Sequence, residues 1–203
     1  MGLLENISIR YPKIFCNGTT RIINPGKTLY LSFDDGPNPM VTENVLDLLD
    51  KYNAKASFFC KGSNAMMYPE ILQKIKKAGH TIGNHTFSHL NAFKVPNKKW
   101  LIDALRKSPV SDTFFFRPPY GRIYPWQCWR IKKNYKIILW DVLTYDFHKD
   151  YNAQRIKKII LKNTRNGSIL VFHDSLITAP KMLQVLEFTL VYYSKRGYRF
   201  NKI

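Results

Sequence analysis

Residues 28–39 read TLYLSFDDGPNP, and residues 40–51 continue MVTENVLDLLDK. The run 28–33 is apolar and β-rich, as a buried strand requires, and Gly36-Pro37 is a turn signal that ends it. Val45, Leu46, Leu48 and Leu49 then recur at helical spacing over 41–51. The stretch is therefore strand, acidic pair, turn, helix. Asp34 and Asp35 sit at the C-terminal end of the strand. Adjacent strand residues point to opposite sides, so the two carboxylates have different jobs unless the turn reorients them.

The same alternation recurs outward along the chain. Residues 56–60 predict a second strand. Residues 65–78 predict a helix with Ile71, Leu72 and Ile75 on one face and Gly79 as its stop. Further strands are predicted at 80–84, 114–116, 136–140, 168–172 and 198–200, and helices at 98–106, 125–132, 153–162 and 180–195. Strand–helix alternation of this kind implies an α/β fold with parallel strands and crossover helices. A closed or distorted barrel and an open doubly wound sheet both fit the pattern. With 203 residues, 45% of them hydrophobic, and no repeat or linker-like composition shift, a single domain is expected. Gly 10 and Pro 11 exclude collagen-like and low-complexity classes.

Polar residues mark the ends of successive strands, where parallel α/β folds place ligands and catalysis. After Asp34-Asp35 come His85 and His89, then Arg117, then Asp141 and Asp146, then His173-Asp174. His85 and His89 are spaced i, i+4, and on a helical turn both rings would share one face, as a metal needs. Surface helices also produce this spacing by chance. The chain has five histidines, and three of them fall in this set. Two histidines and one carboxylate, with Asp35 as the third ligand, make a catalytic metal set that leaves a position open. The other Asp could then accept a proton, and His173 on a separate strand could donate one, a constellation for metal-assisted hydrolysis.

These residues closely resemble the polysaccharide deacetylases of carbohydrate esterase family 4, the chitooligosaccharide deacetylase (NodB) homology domain. Five ordered motifs carry the resemblance. Ser32-Phe33-Asp34-Asp35-Gly36-Pro37 resembles the first, His85-Thr86-Phe87-Ser88-His89 the second and Arg117-Pro118-Pro119-Tyr120 the third; residues 140–147 occupy the fourth and Val171-Phe172-His173-Asp174 the fifth. The resemblance implies a distorted (β/α) barrel that hydrolyses N-acetyl groups on amino sugars. It implies Asp34 as general base and Asp35, His85 and His89 as ligands of a divalent metal, zinc first, with cobalt, manganese or nickel as substitutes. It also implies Arg117 holding the base, the Tyr120 backbone N–H at the oxyanion, His173 as general acid and Asp146 orienting it. A carboxylate beside an imidazole raises its pKa, which suits a proton donor near neutral pH.

The fourth motif departs from the family's DxxDW: Leu143 stands for its first Asp and Phe147 for its Trp, while Asp146 keeps the second Asp. In the fifth, Val171 stands for Leu. No reacting group is lost, so substrate is the open question. Asp141 and Asp174 are expected to be structural, His80 to support the second motif from behind, and His148 to be exposed. Tyr120, Tyr124, Trp126 and Phe147 are candidates for stacking on sugar rings.

Residues 1–27 are expected to be an N-terminal extension packing on the barrel, and residues 28–203 the deacetylase domain. The expected partner is an N-acetylated carbohydrate of peptidoglycan or chitooligosaccharide type. Lys+Arg 32 against Asp+Glu 14 gives a net charge of +18. That charge predicts attraction to polyanions, including peripheral contact with an anionic membrane or cell-wall polymer. No helix-turn-helix, zinc-finger or RNP signature accompanies it, so no specific nucleic acid is expected. No apolar run approaches the roughly 18 residues of a membrane span. No secretory signal is evident, so the default address is cytoplasmic, or the cell envelope if a leader was removed. Cys16, Cys60 and Cys128 suggest neither a disulfide framework nor a cysteine metal site. Two rival readings keep the site but change or remove the chemistry. One is a deacylase of a lipid-linked amino sugar or an O-acetyl polysaccharide esterase; the other is a non-catalytic carbohydrate- or polyanion-binding module.

Overall fold

The computed structural model describes residues 16–203. The strands are β1 (Thr28–Asp34), β2 (Ala56–Cys60), β3 (Thr81–Asn84), β4 (Phe115–Phe116), β5 (Lys136–Ile137), β6 (Val142–Leu143), β7 (Ile169–His173) and β8 (Arg199–Phe200). They form one sheet in the order β5-β4-β3-β2-β1-β7-β6, every pairing parallel, with β8 pairing the start of β1. The helices are α1 (Val41–Lys51), α2 (Gly62–Met67), α3 (Pro69–Lys77), α4 (Asn97–Ala104), α5 (Pro125–Ile131), α6 (Ala153–Asn163) and α7 (Ala179–Ser194).

Between the two sequence alternatives, the barrel is the one observed. The segment 136–143 closes it. Its start pairs β4 and its end pairs β7, and between them the Ile138 N–H donates to Phe116 O at 2.9 Å and the Asp141 N–H to Ile169 O at 3.0 Å. One chain segment thus joins the two sheet edges through a kink, which is the distortion. The sequence predicts one strand over 136–140; the structure breaks it into β5 and β6. Likewise the helix predicted over 65–78 is two helices. Pro69 disfavours helical geometry at Tyr68, which takes φ −128°, ψ 60°, so α2 ends and α3 begins with Pro69 at its first position.

β1 shows how the barrel sets its interior. Leu29, Leu31 and Phe33 belong to the core between sheet and helices, with Val45 and Leu49 of α1 and Leu186 and Leu190 of α7. The alternate residues face inward. Tyr30 joins Phe59, Ile138, Trp140, Ile169 and Val171 in an inner cluster. Ser32 and Asp34 continue that inward row toward the C-terminal end, where the filling changes from apolar to polar. The period of two in the strand therefore delivers Asp34 into the barrel mouth.

Cys16 and Cys128 are joined as a disulfide, with Cα atoms 5.8 Å apart. The sequence gives no sign of this pairing, because the two lie 112 residues apart. Thr19 bridges Ile138 and Arg21 bridges Ser168, so residues 16–21 lie along the barrel wall. Residues 1–15 of the expected N-terminal extension lie outside the described residues. Among the described residues no helix is long and apolar enough to cross a membrane.

Candidate active site

The C-terminal strand ends open into a cavity of about 400 Å³, lined among others by Asp34, Asp35, His85, His89, Tyr120 and His173. That volume is in the range of small-ligand sites. The sequence-predicted residues meet here because strand register brings them together. Asp34 lies opposite His173 in the β1–β7 pairing. His85 follows the end of β3, and Arg117 follows β4, its N–H donating to Asn84 O at 2.9 Å.

Asp34 and Asp35 have distinct surroundings. Asp34 is 3% exposed, and its Oδ1 accepts from Arg117 Nη1 at 2.6 Å. The Arg117 guanidinium is fully buried. It also donates to Ser32 Oγ at 2.9 Å, Ile138 O at 3.3 Å and Leu139 O at 3.0 Å, and it lies over the Phe59 ring at 3.9 Å. A buried cation is tolerable only when paired and hydrogen-bonded, and this one is both. Asp35 leaves the strand at φ 81°, and that turn swings its carboxylate into the cavity as well.

His85 and His89 do not lie on a helical turn, contrary to the expectation from their spacing. Residues 85–89 form a loop in which Thr86 (φ 63°) and His89 (φ 59°) take left-handed backbone conformations. The rings still converge, with centroids 5.0 Å apart. His85 Nδ1 lies 2.8 Å from Arg117 O; a carbonyl only accepts, so Nδ1 carries the proton and Nε2 presents a lone pair to the cavity. Burial, aided by neighbouring His89, pushes the His85 pKa well down; burial also lowers that of His89, against the opposing charge of Asp35. Both rings are thus neutral and able to ligate.

Nε2 of His89 and of His85 lie 3.2 and 4.0 Å from Asp35 Oδ1. One ligand atom from each of the three residues falls within 4.8 Å of the others. Asp35 Oδ1 is buried without a hydrogen-bond partner among the described residues. An unfilled carboxylate lone pair facing two neutral imidazoles is what a cation would satisfy, so this set fits a divalent metal.

On the facing wall, His173 Nδ1 lies 2.7 Å from Asp146 Oδ1, and the His173 backbone N–H donates to Asp146 Oδ2 at 2.7 Å. Asp146 is fully buried, and both its oxygens are used on one residue. Burial opposes charging the imidazole, but the charge and hydrogen bond of Asp146, with the charges of Asp34 and Asp35, outweigh it and hold the His173 pKa at about 9. The Phe147 ring stands edge-on to His173 at 4.9 Å and, with Leu143 and Val171, forms an apolar wall. Tyr120 takes φ 59° and packs its ring on His89 at 4.7 Å. Left-handed non-glycine residues at Asp35, Thr86, His89, Tyr120 and Tyr145, all in the motif segments, store strain where the side chains must be aimed.

The remaining candidates sort themselves. Asp141 pairs with Arg165 at 3.1 Å and accepts from Ser168 Oγ at 2.6 Å, a wall contact as expected. His80 precedes β3 at the end of the strands away from the cavity, where it accepts the Ala56 N–H at 3.2 Å through Nδ1 and packs on Phe58; it braces β2 rather than the second motif, and burial lowers its pKa to about 4. His148 is only half-exposed and packs on Tyr151. Tyr120 and Phe147 line the cavity; Tyr124 and Trp126 are not among its lining residues. Asp174 does more than fill space. It is fully buried, its Oδ1 accepts the Gly36 N–H at 2.9 Å, and its Oδ2 accepts from Thr42 Oγ1 at 2.6 Å. Asp174 thereby pins the turn that aims Asp35. Its only sequence signal is its place beside His173. Burial, with Asp35 nearby and hydrogen bonds opposing, raises its pKa to about 7. Arg122, also on the cavity wall, has no motif signal at all.

A parallel barrel with a metal-type triad between a buried Asp–Arg pair and a cavity-facing histidine held by a buried aspartate defines a hydrolase-like site of the carbohydrate esterase kind. The comparisons place it further: residues 21–137, more than half of the chain, match the polysaccharide deacetylase family model, and the chain belongs to that family. It is 37% identical over 152 residues to a peptidoglycan-N-acetylglucosamine deacetylase of Bacillus cereus, covering 71% of this chain and 55% of that protein. The chain thus spans about half the length of that relative. A second Bacillus cereus protein of the same name is 32% identical over 194 residues, covering 90% of this chain and 89% of its own. The crystal structure of a peptidoglycan N-acetylglucosamine deacetylase in complex with 4-naphthalen-1-yl-N-oxidanyl-benzamide superposes with a TM-score of 0.82 at 30% identity, covering 95% of this chain and 94% of the other. The family match stops before Asp146 and His173; their place in the site rests on the fold.

Proposed function

We propose that this chain is a metal-dependent N-deacetylase of amino-sugar units in a peptidoglycan- or chitooligosaccharide-type glycan, with zinc as the metal. One observation carries the reading: three ligand-type residues share a single cavity with Asp34, which a buried arginine holds from behind, and with His173, which a buried carboxylate holds from behind. The names of the relatives support the substrate class.

Asp35, His85 and His89 would hold the ion. When bound, it supplies Lewis acidity, which makes a water a better nucleophile and an acetamide carbonyl a better electrophile. Asp34 accepts the proton of the attacking water. Arg117 fixes the Asp34 carboxylate through Oδ1, leaving Oδ2 on the cavity side, 3.9 Å from His85 Nε2. The Tyr120 backbone N–H donates to the developing oxyanion. His173, charged at neutral pH, gives its proton from Nε2 to the departing nitrogen, while Asp146 holds Nδ1. Phe147, Leu143 and Val171 receive the acetyl methyl. The products are acetate and a free amine. In this reading Phe147 keeps the apolar wall of the fourth motif with a smaller ring.

The test is acetate release by zinc-loaded protein from N-acetylchitooligosaccharides, peptidoglycan fragments and acetylated xylan. Release from the amino sugars, abolished by His173→Ala, is expected. Release from xylan alone would replace the reading with an O-acetyl esterase.

A further inference from the structure

Arg122 is the one arginine or lysine among the described cavity-lining residues. It follows Tyr120 and Gly121, both left-handed, whose turn carries the chain across the cavity mouth, where Arg122 resumes an extended backbone (φ −103°, ψ 122°). Its guanidinium lies 5.8 Å from the centroid of the Phe93 ring, which tilts against Tyr124 at 4.7 Å. Among the described residues, no carboxylate lies within 4 Å of it. Of the two acidic residues that share the cavity, Asp34 pairs with Arg117 and Asp35 is turned toward His85 and His89 in the metal-type set. Arg122 therefore presents open donors beside the reacting groups. Reaction at a neutral acetamide makes no demand for such a cation. A planar fork of donors on a rigid wall does match a carboxylate, which it can hold through two parallel bonds.

We propose that Arg122 is a specificity-determining residue that binds a carboxylate on the substrate, so that the preferred glycan carries an acid on, or next to, the sugar being deacetylated. The acid is either a lactyl ether or a uronic acid. This rests on the deacetylase reading of the same cavity.

The test compares three tetrasaccharides: neutral N-acetylchitotetraose, an alternating N-acetylglucosamine–N-acetylmuramic acid chain, and a hyaluronan fragment. The quantity read is the ratio of kcat/KM on each acidic sugar to that on the neutral one, which cancels any loss common to both. Arg122→Gln should lower the ratio about tenfold, through KM, for the acid that is recognised. Arg122→Lys, with the charge but not the fork, should fall between. Rising salt should lower the wild-type ratio, since the pair sits at an open mouth. The arm that responds identifies the lactyl or uronic source. A ratio unchanged by Arg122→Gln in both arms overturns the proposal, as does a wild-type preference for the neutral sugar. If wild type releases acetate from none of the three, the deacetylase reading fails. Calorimetric binding of the same sugars then decides Arg122 separately, and equal affinity of wild type and Arg122→Gln for the acidic sugars overturns it.

Discussion

Replacing Arg117 with Met keeps most of the apolar stem against Phe59 but removes every donor of the guanidinium. Four contacts vanish: to Asp34, Ser32, Ile138 O and Leu139 O. Breaking a buried ion pair from one side costs about 3–5 kcal/mol, because the remaining charge stays buried. Two carbonyls left without donors add about 1–3 kcal/mol each where water does not reach them. The sum, about 5–11 kcal/mol, approaches the whole stability of a typical domain, about 5–15 kcal/mol. Arg117→Met should therefore be largely unfolded or close to it in metal-free buffer. The second variant separates charge from packing. In Asp34→Asn/Arg117→Met the buried charge is gone and only the neutral losses remain, so the double variant should be more stable than the single by about 2–4 kcal/mol. Urea unfolding followed by tryptophan fluorescence, with chelator present, measures both. Arg117→Met within about 1 kcal/mol of wild type would refute the reasoning, and so would a double variant no more stable than the single.

Three further outcomes are expected. With His173 held near pH 9 chiefly against burial by Asp146, the alkaline limb of kcat should lie near pH 9: the proton donor is present below that pKa and lost as pH rises through it. Asp146→Asn should move that limb downward by more than one pH unit, and a limb that stays put would remove His173 as the proton donor. A Cβ on Gly36 would stand 2.1 Å from Asp174 Oδ2, so Gly36→Ala should cost about 2–3 kcal/mol in urea. Gly36→Ala combined with Asp174→Ala should cost less than the sum of the two singles; strict additivity would show that the turn does not rest on Asp174. Zinc at about 100 times its Kd should stabilise the chelator-treated protein by roughly 2.7 kcal/mol, and Asp35→Ala should abolish the shift in thermal unfolding.

Much of the fold was legible because β1, β2, α1 and α6 are bounded by local signals. The alternation of strands with helices then fixed parallel topology. Closure was legible only through the motif resemblance, which implies a distorted barrel; the local patterns left it open, since it depends on how residues 136–143 divide between two partners. The break at Tyr68-Pro69 was not legible, because apolar spacing runs on across a backbone that cannot. The metal-type triad was found from residue types and order, but by a geometry other than the one their spacing suggests: left-handed Thr86 and His89, not a helix, bring the rings together. Asp174 is read from the sequence as structural, as it is, but the turn it pins, like the place of Arg122, escaped for a common reason. A buried acid pinning a turn and a cation unpaired at a cavity mouth acquire meaning only from what surrounds them in space. The Cys16–Cys128 contact is likewise a property of the folded chain.

The central claim, that Asp34 takes a proton while Asp35, His85 and His89 hold the metal, divides the acidic pair by role. Metal content and acetate release from an N-acetylchitooligosaccharide, measured side by side on zinc-loaded wild type and Asp34→Asn, test it most directly. The account predicts one zinc per chain in both proteins, with turnover lower in Asp34→Asn by a factor of about 100 or more. Full turnover in Asp34→Asn, or loss of its zinc, would contradict it.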